Sequence, residues 1–159
     1  MQSRNKRPPL SSEQLYQKAA AKCAARECCR ADFEKKFEEA GISKSESETI
    51  LDKLEDGKFI DEKRYAKAFT HDRLLYAGWG RMKIKQALAL KKISPQDIAN
   101  ALQEINESDY REKLLSVIKA KMRSLKASSD YERKTKLARF AIGRGFEPDL
   151  VFECLNFHE

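Results

Sequence analysis

The chain has 159 residues, of which 36% are charged and 41% hydrophobic, with six glycines and four prolines. This composition, rich in Ala, Glu, Lys, Leu and Arg, favours an all-helical protein, and the apolar content argues against a wholly disordered chain. No apolar run approaches the roughly 20 residues that span a bilayer. The N-terminal MQSRNKRPPL has cations without the apolar core of a secretory signal, so we expect a cytoplasmic protein.

The net charge of +7 is distributed unevenly. Residues 1–58 hold 12 basic and 11 acidic side chains, residues 63–92 hold nine and one, and residues 111–144 hold eleven and three. Two strongly positive blocks indicate a polyanionic partner, either nucleic acid or an acidic protein surface. The alternative is that these lysines and arginines only form solvated helix faces.

The reactive side chains do not form a catalytic or metal-binding pattern. Cys28 and Cys29 are adjacent, no CxxC pair occurs, and His71 and His158 stand far from any matching nucleophile. No glycine-rich phosphate loop occurs either. We therefore expect reduced cysteines, no metal, no cofactor and no enzymatic activity.

In chain order, residues 1–11 read as a flexible basic arm, and three longer amphipathic helices are predicted after it. They cover Ser12–Ala25, Asp61–Tyr76 and Ser108–Leu125. Asp61 is a plausible N-cap for the second of these helices, and Ser108 or Asp109 for the third.

A shorter segment follows each long helix, and the three short segments resemble one another. They are Arg30–Ile42, Arg81–Ile93 and Lys134–Phe146. In each, two apolar residues at i and i+4 occupy one helix face, and a third apolar residue follows the helix end. Gly41 and Gly145 precede that third residue, where a C-terminal cap favours glycine. The middle segment has Lys92 there, so we expect its helix to end differently.

A third helix closes each unit, after a turn with helix-start residues such as Ser43 or Ser45, Ser94 before Pro95, and Pro148. The sequence therefore predicts an all-α protein of three tandem three-helix-bundle repeats, 12–58, 59–105 and 106–159. Because each unit is small, neighbouring repeats should support one another in an elongated, curved and monomeric array.

The middle repeat carries the most specific pattern. FIDEKRYAKAF (Phe59–Phe69), GWGRMKIKQAL (Gly78–Leu88), KKIS and IANAL follow in order. This order is a turn that ends in an acidic residue, an Arg–aromatic–Ala helix, and a Gly–aromatic–Gly segment that precedes a basic helix. It resembles the RecX family of bacterial modulators of the recombinase RecA. The resemblance covers about residues 15 to 156. The N-terminal arm has little of the pattern, and the adjacent cysteines of CAARECCRADFEKKF are not part of it.

The resemblance implies three three-helix repeats that bind single- and double-stranded DNA and lie in the groove of the RecA filament. Family members restrain strand exchange and coprotease activity in DNA repair and the SOS response, and some modulate RecA without purely inhibiting it.

The basic helix of the middle repeat supplies the first candidate binding residues. At 100° per residue, Arg81, Lys85 and Lys92 fall on one flank and form a positive ridge that can contact a phosphate backbone or an acidic groove. Other cations of the middle and third repeats could extend that surface, although lysine stems can also simply cover apolar neighbours. These further candidates are Lys83, Arg64, Lys67, Arg73, Lys134, Lys136, Arg139 and Arg144.

Five residues are predicted to be structural. Gly78 and Gly80 allow a sharp turn between two helices. Trp79 is expected to pack where two helices or two repeats meet, with base stacking as the alternative. Tyr65 and Phe69 are expected in the core, beside an Arg64 that can pair with an acidic residue inside the array.

Two other function classes remain open from the sequence. A helix-turn-helix-like transcription regulator fits three-helix units, but the basic helix offers only Arg81 and Gln86 for reading bases. A helical protein–protein adaptor would show no salt-sensitive retention on DNA.

Overall fold

The computed structural model describes residues 8–156, which hold nine α-helices and no strand, as the composition predicted. The helices form three sets of three, called here repeats 1, 2 and 3. The helices are α1 (Ser12–Ala25), α2 (Ala31–Glu39), α3 (Lys44–Asp56), α4 (Glu62–Leu75), α5 (Arg81–Leu90), α6 (Pro95–Gln103), α7 (Glu107–Ser124), α8 (Asp130–Gly143) and α9 (Pro148–Cys154). Residues 1–7 of the predicted arm and residues 157–159 lie outside the described range.

Side-chain caps define where several helices begin. Ser11 and Gln14 form a reciprocal capping box at the start of α1. Ser43 and Ser94 each accept a hydrogen bond from a first-turn amide of α3 and α6. The expected cap of α7 at Ser108 or Asp109 is wrong, because Asn106 occupies that position and accepts from the Asp109 amide at 3.0 Å. Asn serves as well as Ser here because its side-chain oxygen reaches the same orphan amide.

The apolar repeat pattern corresponds to buried positions. α2, α5 and α8 bury their i, i+4 pairs, namely Phe33 with Phe37, Ile84 with Leu88, and Leu137 with Ala141. Each repeat therefore buries one of these three pairs in its core. The periodicity of the sequence therefore identified the buried face of the second helix in each repeat.

The ends of these three helices are the same, contrary to the expectation for the middle one. Gly41, Lys92 and Gly145 all have positive φ, at +82°, +61° and +98°. In each case the amide of the next residue donates to a carbonyl five residues back, as Ile93 does to Leu88 at 3.1 Å. This is the Schellman arrangement, and Lys92 adopts the left-handed conformation despite its Cβ.

The chain divides into two compact units, residues 1–65 and 66–159. In the first unit, α1 and α2 pack on α3. Its core includes Phe33, Phe37, Leu51 and Leu54, each at most 3% exposed. Cys28 and Cys29 are fully buried, which agrees with their expected packing as small apolar side chains.

The second unit contains most of α4 and all of α5–α9, so repeats 2 and 3 form one compact body. α5 packs on α6, and α8 packs on both α7 and α9. Tyr110, Leu114 and Phe146 are fully buried in this unit. The mutual support expected between neighbouring repeats therefore holds for repeats 2 and 3. The predicted boundaries of the three repeats stay a prediction.

Among the described residues, no helix is both long enough and apolar enough to cross a membrane.

Candidate nucleic-acid interface

The GWG segment between α4 and α5 contains two glycines with different requirements. Gly78 has φ +65°, a conformation that favours glycine, and a Cβ there would lie 3.1 Å from Val117 Cγ2. Gly80 precedes α5 with φ −82°, which any residue can adopt. Its requirement comes from space, since Gly80 is buried and the main chain of Gly145 and Phe146 leaves no room for a Cβ. Only Gly78 therefore serves the sharp turn predicted for both glycines.

The main chains of repeats 2 and 3 meet at Gly80 and Gly145. A Cβ on Gly80 would lie 2.3 Å from the carbonyl carbon of Gly145, and one on Gly145 would lie 2.4 Å from Lys83 Cβ. Two backbone hydrogen bonds cross this contact, from the Gly80 amide to the Arg144 carbonyl at 2.8 Å and from the Met82 amide to the Gly145 carbonyl at 3.0 Å. Side chains at either glycine would separate the two segments, so glycine permits the contact.

Arg81, the first residue of α5, lies in a polar network at the same junction. Its guanidinium donates to Glu147 Oε2 at 2.8 Å and to Glu107 Oε2 at 2.6 Å. It also lies 3.8 Å from the centroid of the Tyr110 ring. The Tyr110 hydroxyl accepts from the Arg81 amide and donates to Glu147 Oε1 at 2.6 Å. Arg81 thereby connects the start of α5 to α7 and to the start of α9.

The network is partly desolvated, and its protonation states reflect this. Burial, together with the hydrogen bond to Glu147, raises the pKa of Tyr110, so the phenol stays protonated. Burial opposes the charge of Arg81, but the hydrogen bonds to Glu107 and Glu147 outweigh it and raise the pKa of the guanidinium. With 24% of its side chain exposed and two carboxylate partners, Arg81 is a structural cation in this unit.

The predicted ridge of three cations is divided by this arrangement. Lys85 lies on the exposed side of α5, whereas Arg81 is bound to Glu107 and Glu147. Lys92 lies beyond the end of α5 at Leu90, so the helical spacing that placed it beside Lys85 does not apply. The chain leaves the helical path there because Lys92 adopts a left-handed conformation. Binding of a polyanion by these residues stays a prediction.

Trp79 lies half-buried between α4 and α5, with cations on its ring. Its ring meets Phe69 edge-on at 6.3 Å between centroids. The Arg73 guanidinium lies 5.0 Å and Lys83 Nζ 4.5 Å from the Trp79 centroid. Two of the predicted binding cations, Arg73 and Lys83, therefore also pack against the tryptophan ring. Such cation–π contacts are stronger where the cation and the ring are partly desolvated.

Two further candidates on α4 have carboxylate partners. Arg64 donates to Glu27 at 2.6 Å and to the carbonyl of Lys58 within the first unit, which matches the expected internal pairing. Lys67 pairs with Glu104 at 2.8 Å in the second unit. Tyr65 is buried, as expected of a core residue, and the structure places Phe69 half-buried.

The four candidates of α8 and its C-terminus divide in the same way. Lys134 pairs with Asp130 at 3.5 Å, and Lys136 with Glu132 at 2.8 Å. Arg139 is exposed, without a carboxylate of residues 8–156 at ion-pair distance. Arg144 is half-buried and donates to the carbonyl of Ala77.

Comparison with known families matches the part of the chain that forms repeats 2 and 3. The family model for the second three-helix domain of RecX matches residues 61–102, and that for the third three-helix domain matches residues 108–155. The chain belongs to the RecX family. This family of regulatory proteins is the one that the sequence motif resembled.

Relatives and solved structures agree. The regulatory protein RecX of Clostridium botulinum strain Eklund 17B is 31% identical over 129 residues, 77% of this chain and 58% of the relative. The chain thus spans little more than half the length of that relative. RecX of Pseudomonas fluorescens Pf-5 is 29% identical over 133 residues, 84% of each chain. The crystal structure of RecX from Lactobacillus salivarius shares the fold, with a TM-score of 0.76 at 20% identity over 91% of this chain and 94% of that one.

Two residues that the sequence did not single out in this RecX chain, Tyr76 and Lys113, line a cleft beside Gly78 and Arg144. Lys121, which from the sequence could equally extend the positive surface of repeat 3 or only face solvent, lines the same cleft. Lys113 and Lys121 are eight residues apart on α7, which places them on neighbouring faces of that helix. This spacing was available in the sequence, but their convergence on the GWG segment depends on the tertiary contact between repeats 2 and 3.

Proposed function

We propose that this RecX-family chain binds the RecA–DNA filament through a positive surface of its second unit. It modulates the activities of the recombinase, mainly by inhibiting them. Groove occupancy would obstruct strand access or subunit exchange in DNA repair and the SOS response. Membership of the RecX family, whose sequence resemblance implies RecA as the partner, supports the filament, and the charge of this chain supports a polyanionic component in it.

The observation that carries this proposal is the division of charge between the two units. Residues 66–159 hold 18 basic and 12 acidic residues, so they account for +6 of the net charge of +7. Residues 1–65 hold 14 basic and 13 acidic residues. A phosphate backbone binds the unit that carries the excess positive charge, with counterion release as the driving force.

Exposed cations without internal partners are the best candidates for that surface. Lys85 and Arg139 are exposed, and neither forms an ion pair within residues 8–156. Arg81, Lys67 and Lys136 have carboxylate partners, which reduces the charge that they present outward. We therefore expect Lys85 and Arg139 to contribute more to filament binding than these paired cations.

The same pairing favours a filament modulator over a sequence-specific transcription regulator. Reading bases requires Arg, Asn or Gln side chains that reach a groove. On α5 those side chains are Arg81 and Gln86, and the guanidinium of Arg81 is bound to two carboxylates. A single base-reading side chain on this helix is a weak basis for operator recognition.

The test is RecA-driven strand exchange and DNA-dependent ATP hydrolysis with increasing amounts of the protein. We expect progressive inhibition up to stoichiometries that saturate the filament, and cosedimentation of the protein with the filament. The double variant Lys85→Glu with Arg139→Glu should need about tenfold more protein for half-inhibition, because it loses phosphate contacts.

The matched control is a double charge reversal in the first unit, Lys18→Glu with Lys53→Glu, at exposed positions of α1 and α3. It should change the half-inhibition point by less than about threefold, since its only effect is on the long-range field. Wild-type protein without effect at saturation would refute the proposed function. Equal losses in the control and the double variant would refute the assignment to the second unit.

A further inference from the structure

A shallow cleft lies between α7, the end of α8 and the segment that follows α4. Its volume is about 390 Å³, within the range of ligand-binding clefts. Gly78 and Val117 are among its small and apolar lining residues, and three cations reach it: Lys113, Lys121 and Arg144. None of the eleven residues that line it, all of them in the described range, is acidic.

The three cations contact carbonyl oxygens and an aromatic ring. Lys113 Nζ donates to the carbonyl of Leu75 at 2.8 Å, Lys121 Nζ lies 4.8 Å from the centroid of Phe140, and Arg144 donates to the carbonyl of Ala77. No carboxylate within residues 8–156 lies at ion-pair distance from any of them, in contrast to Arg81 and Lys67. Three like charges on one cleft repel one another, and an anion placed there would relieve that repulsion.

Arg144 adds a second indication of a missing acceptor. Its Nε is buried and has no hydrogen-bond partner in the described part of the chain. Buried donors in folded proteins are nearly always satisfied, by protein, by water or by a bound ligand. The Arg144 side chain lies against Gly78, where an added Cβ would be in ordinary contact with Nη2 at 3.5 Å.

The rim of the cleft carries an unusual aromatic side chain. Tyr76, directly after α4, is 83% exposed. A ring that stays in water contributes little burial energy to the fold, but its face is available for stacking. Aromatic faces beside a positive groove are the combination with which proteins hold single-stranded nucleic acid, because unpaired bases stack and phosphates follow the cations.

We infer that this cleft binds single-stranded DNA, with a phosphodiester at Lys113, Lys121 and Arg144 and an unpaired base on Tyr76. The inference rests on the proposed function only in taking DNA as the polyanion. A duplex does not offer a free base to Tyr76, so the site distinguishes a single strand from a double one.

The experiment measures fluorescence anisotropy of a labelled 20-nucleotide oligothymidylate and of a duplex of equal length over a series of salt concentrations. Lys121→Glu should weaken oligothymidylate binding about tenfold or more and reduce the slope of log affinity against log salt by about 0.7 per lost phosphate contact. Lys113→Gln should weaken it less, because the amide can still donate to Leu75. Tyr76→Ala should weaken oligothymidylate binding about tenfold and leave duplex binding unchanged.

The matched control is Lys119→Glu, which makes the same charge change on the far side of the same helix. It should alter affinity by less than about threefold. Equal losses from Lys119→Glu and Lys121→Glu would overturn the cleft assignment in favour of a diffuse field. An effect of Lys121→Glu without any effect of Tyr76→Ala would overturn the single-strand assignment and indicate a phosphate site alone.

The outcomes also separate this inference from the proposed function. Cleft variants that bind oligothymidylate normally but bind the RecA–DNA filament weakly would overturn it in favour of an acidic protein partner. Cleft variants with wild-type binding to both would overturn the cleft and leave the proposed function standing. Wild-type protein that binds neither DNA nor filament would overturn both.

Discussion

Substitution of Gly80 by alanine adds one methyl group at the contact between the main chains of repeats 2 and 3. The backbone of Gly80, at φ −82°, accepts alanine without strain. The added Cβ, however, would lie 2.3 Å from the Gly145 carbonyl carbon and 2.3 Å from the Phe146 amide nitrogen. Both neighbours are backbone atoms, so neither can rotate aside. The two segments have to move apart by roughly 1 Å to restore ordinary contact.

The cost follows from what this separation breaks. Two backbone hydrogen bonds cross the junction, each contributing about 1 kcal/mol net. Overpacking of a close contact adds about 1–3 kcal/mol. Gly80→Ala is therefore expected to reduce the free energy of unfolding by about 3–5 kcal/mol. For a body of this size each kcal/mol lowers Tm by roughly 4–8 °C, so the midpoint should fall by at least about 12 °C.

Thermal and urea denaturation followed by circular dichroism measure this change, and hydrogen exchange at the Gly80 and Met82 amides reports on the junction itself. The matched control is Gly143→Ala at the last residue of α8, where a Cβ would meet no atom within 4 Å. Because alanine favours a helix over glycine, this control should gain up to about 1 kcal/mol. A Gly80→Ala protein within about 0.5 kcal/mol of wild type would refute the reasoning.

Three further predictions concern single side chains. Arg81→Met should lose roughly 2–3 kcal/mol of stability in denaturation experiments, because it leaves a partly buried carboxylate unpaired. Lys85→Met should lose less than about 0.5 kcal/mol of stability and weaken DNA binding instead. The reverse ranking of the two stabilities would contradict the structural role of Arg81. Lys92→Gly should gain about 0.5–1 kcal/mol of stability, because glycine adopts the left-handed conformation without strain. Lys91→Gly, at φ −82°, should lose a similar amount of stability. Equal effects of the two substitutions would refute the assignment of strain to Lys92. Burial raises the pKa of Cys29 to about 11, above the value of 9 for a free thiol. The contribution of the protonated thiol to the free energy of unfolding is therefore complete below pH 9 and declines as the pH rises towards 11. Cys29→Ala should flatten this decline in urea titrations at several pH values, and an unchanged pH dependence would disprove the argument.

Local features of the fold could be predicted because they depend on residues close in sequence. The bounds of α1 were predicted at Ser12 and Ala25, since the capping chemistry and apolar spacing lie within one helix. The three apolar pairs followed from a period of 3.6 residues. Lys92 shows where this reasoning fails, because a left-handed lysine is rare enough that the sequence favoured another ending.

The candidate site was harder to predict, because charge counting does not show where a partner lies. The carboxylates of Arg81 are 26 and 66 residues away, so its role at the junction depends on the packing of repeats 2 and 3. Lys85 has the same charge on the same helix without such partners. The composition predicted a positive second half, but only tertiary structure separates the cations that hold the fold from those that face outward.

The contact of Gly80 with Gly145 limits which sequence changes can alter the spacing of repeats 2 and 3. Main-chain atoms set the distance between the two repeats, so the outward side chains of α5 and α8 do not determine the alignment of those helices. Lysines and arginines can be gained or lost on these outer positions while the distance between the two groups of cations is kept. The number of exposed cations and the spacing between the two groups can therefore be altered independently of each other.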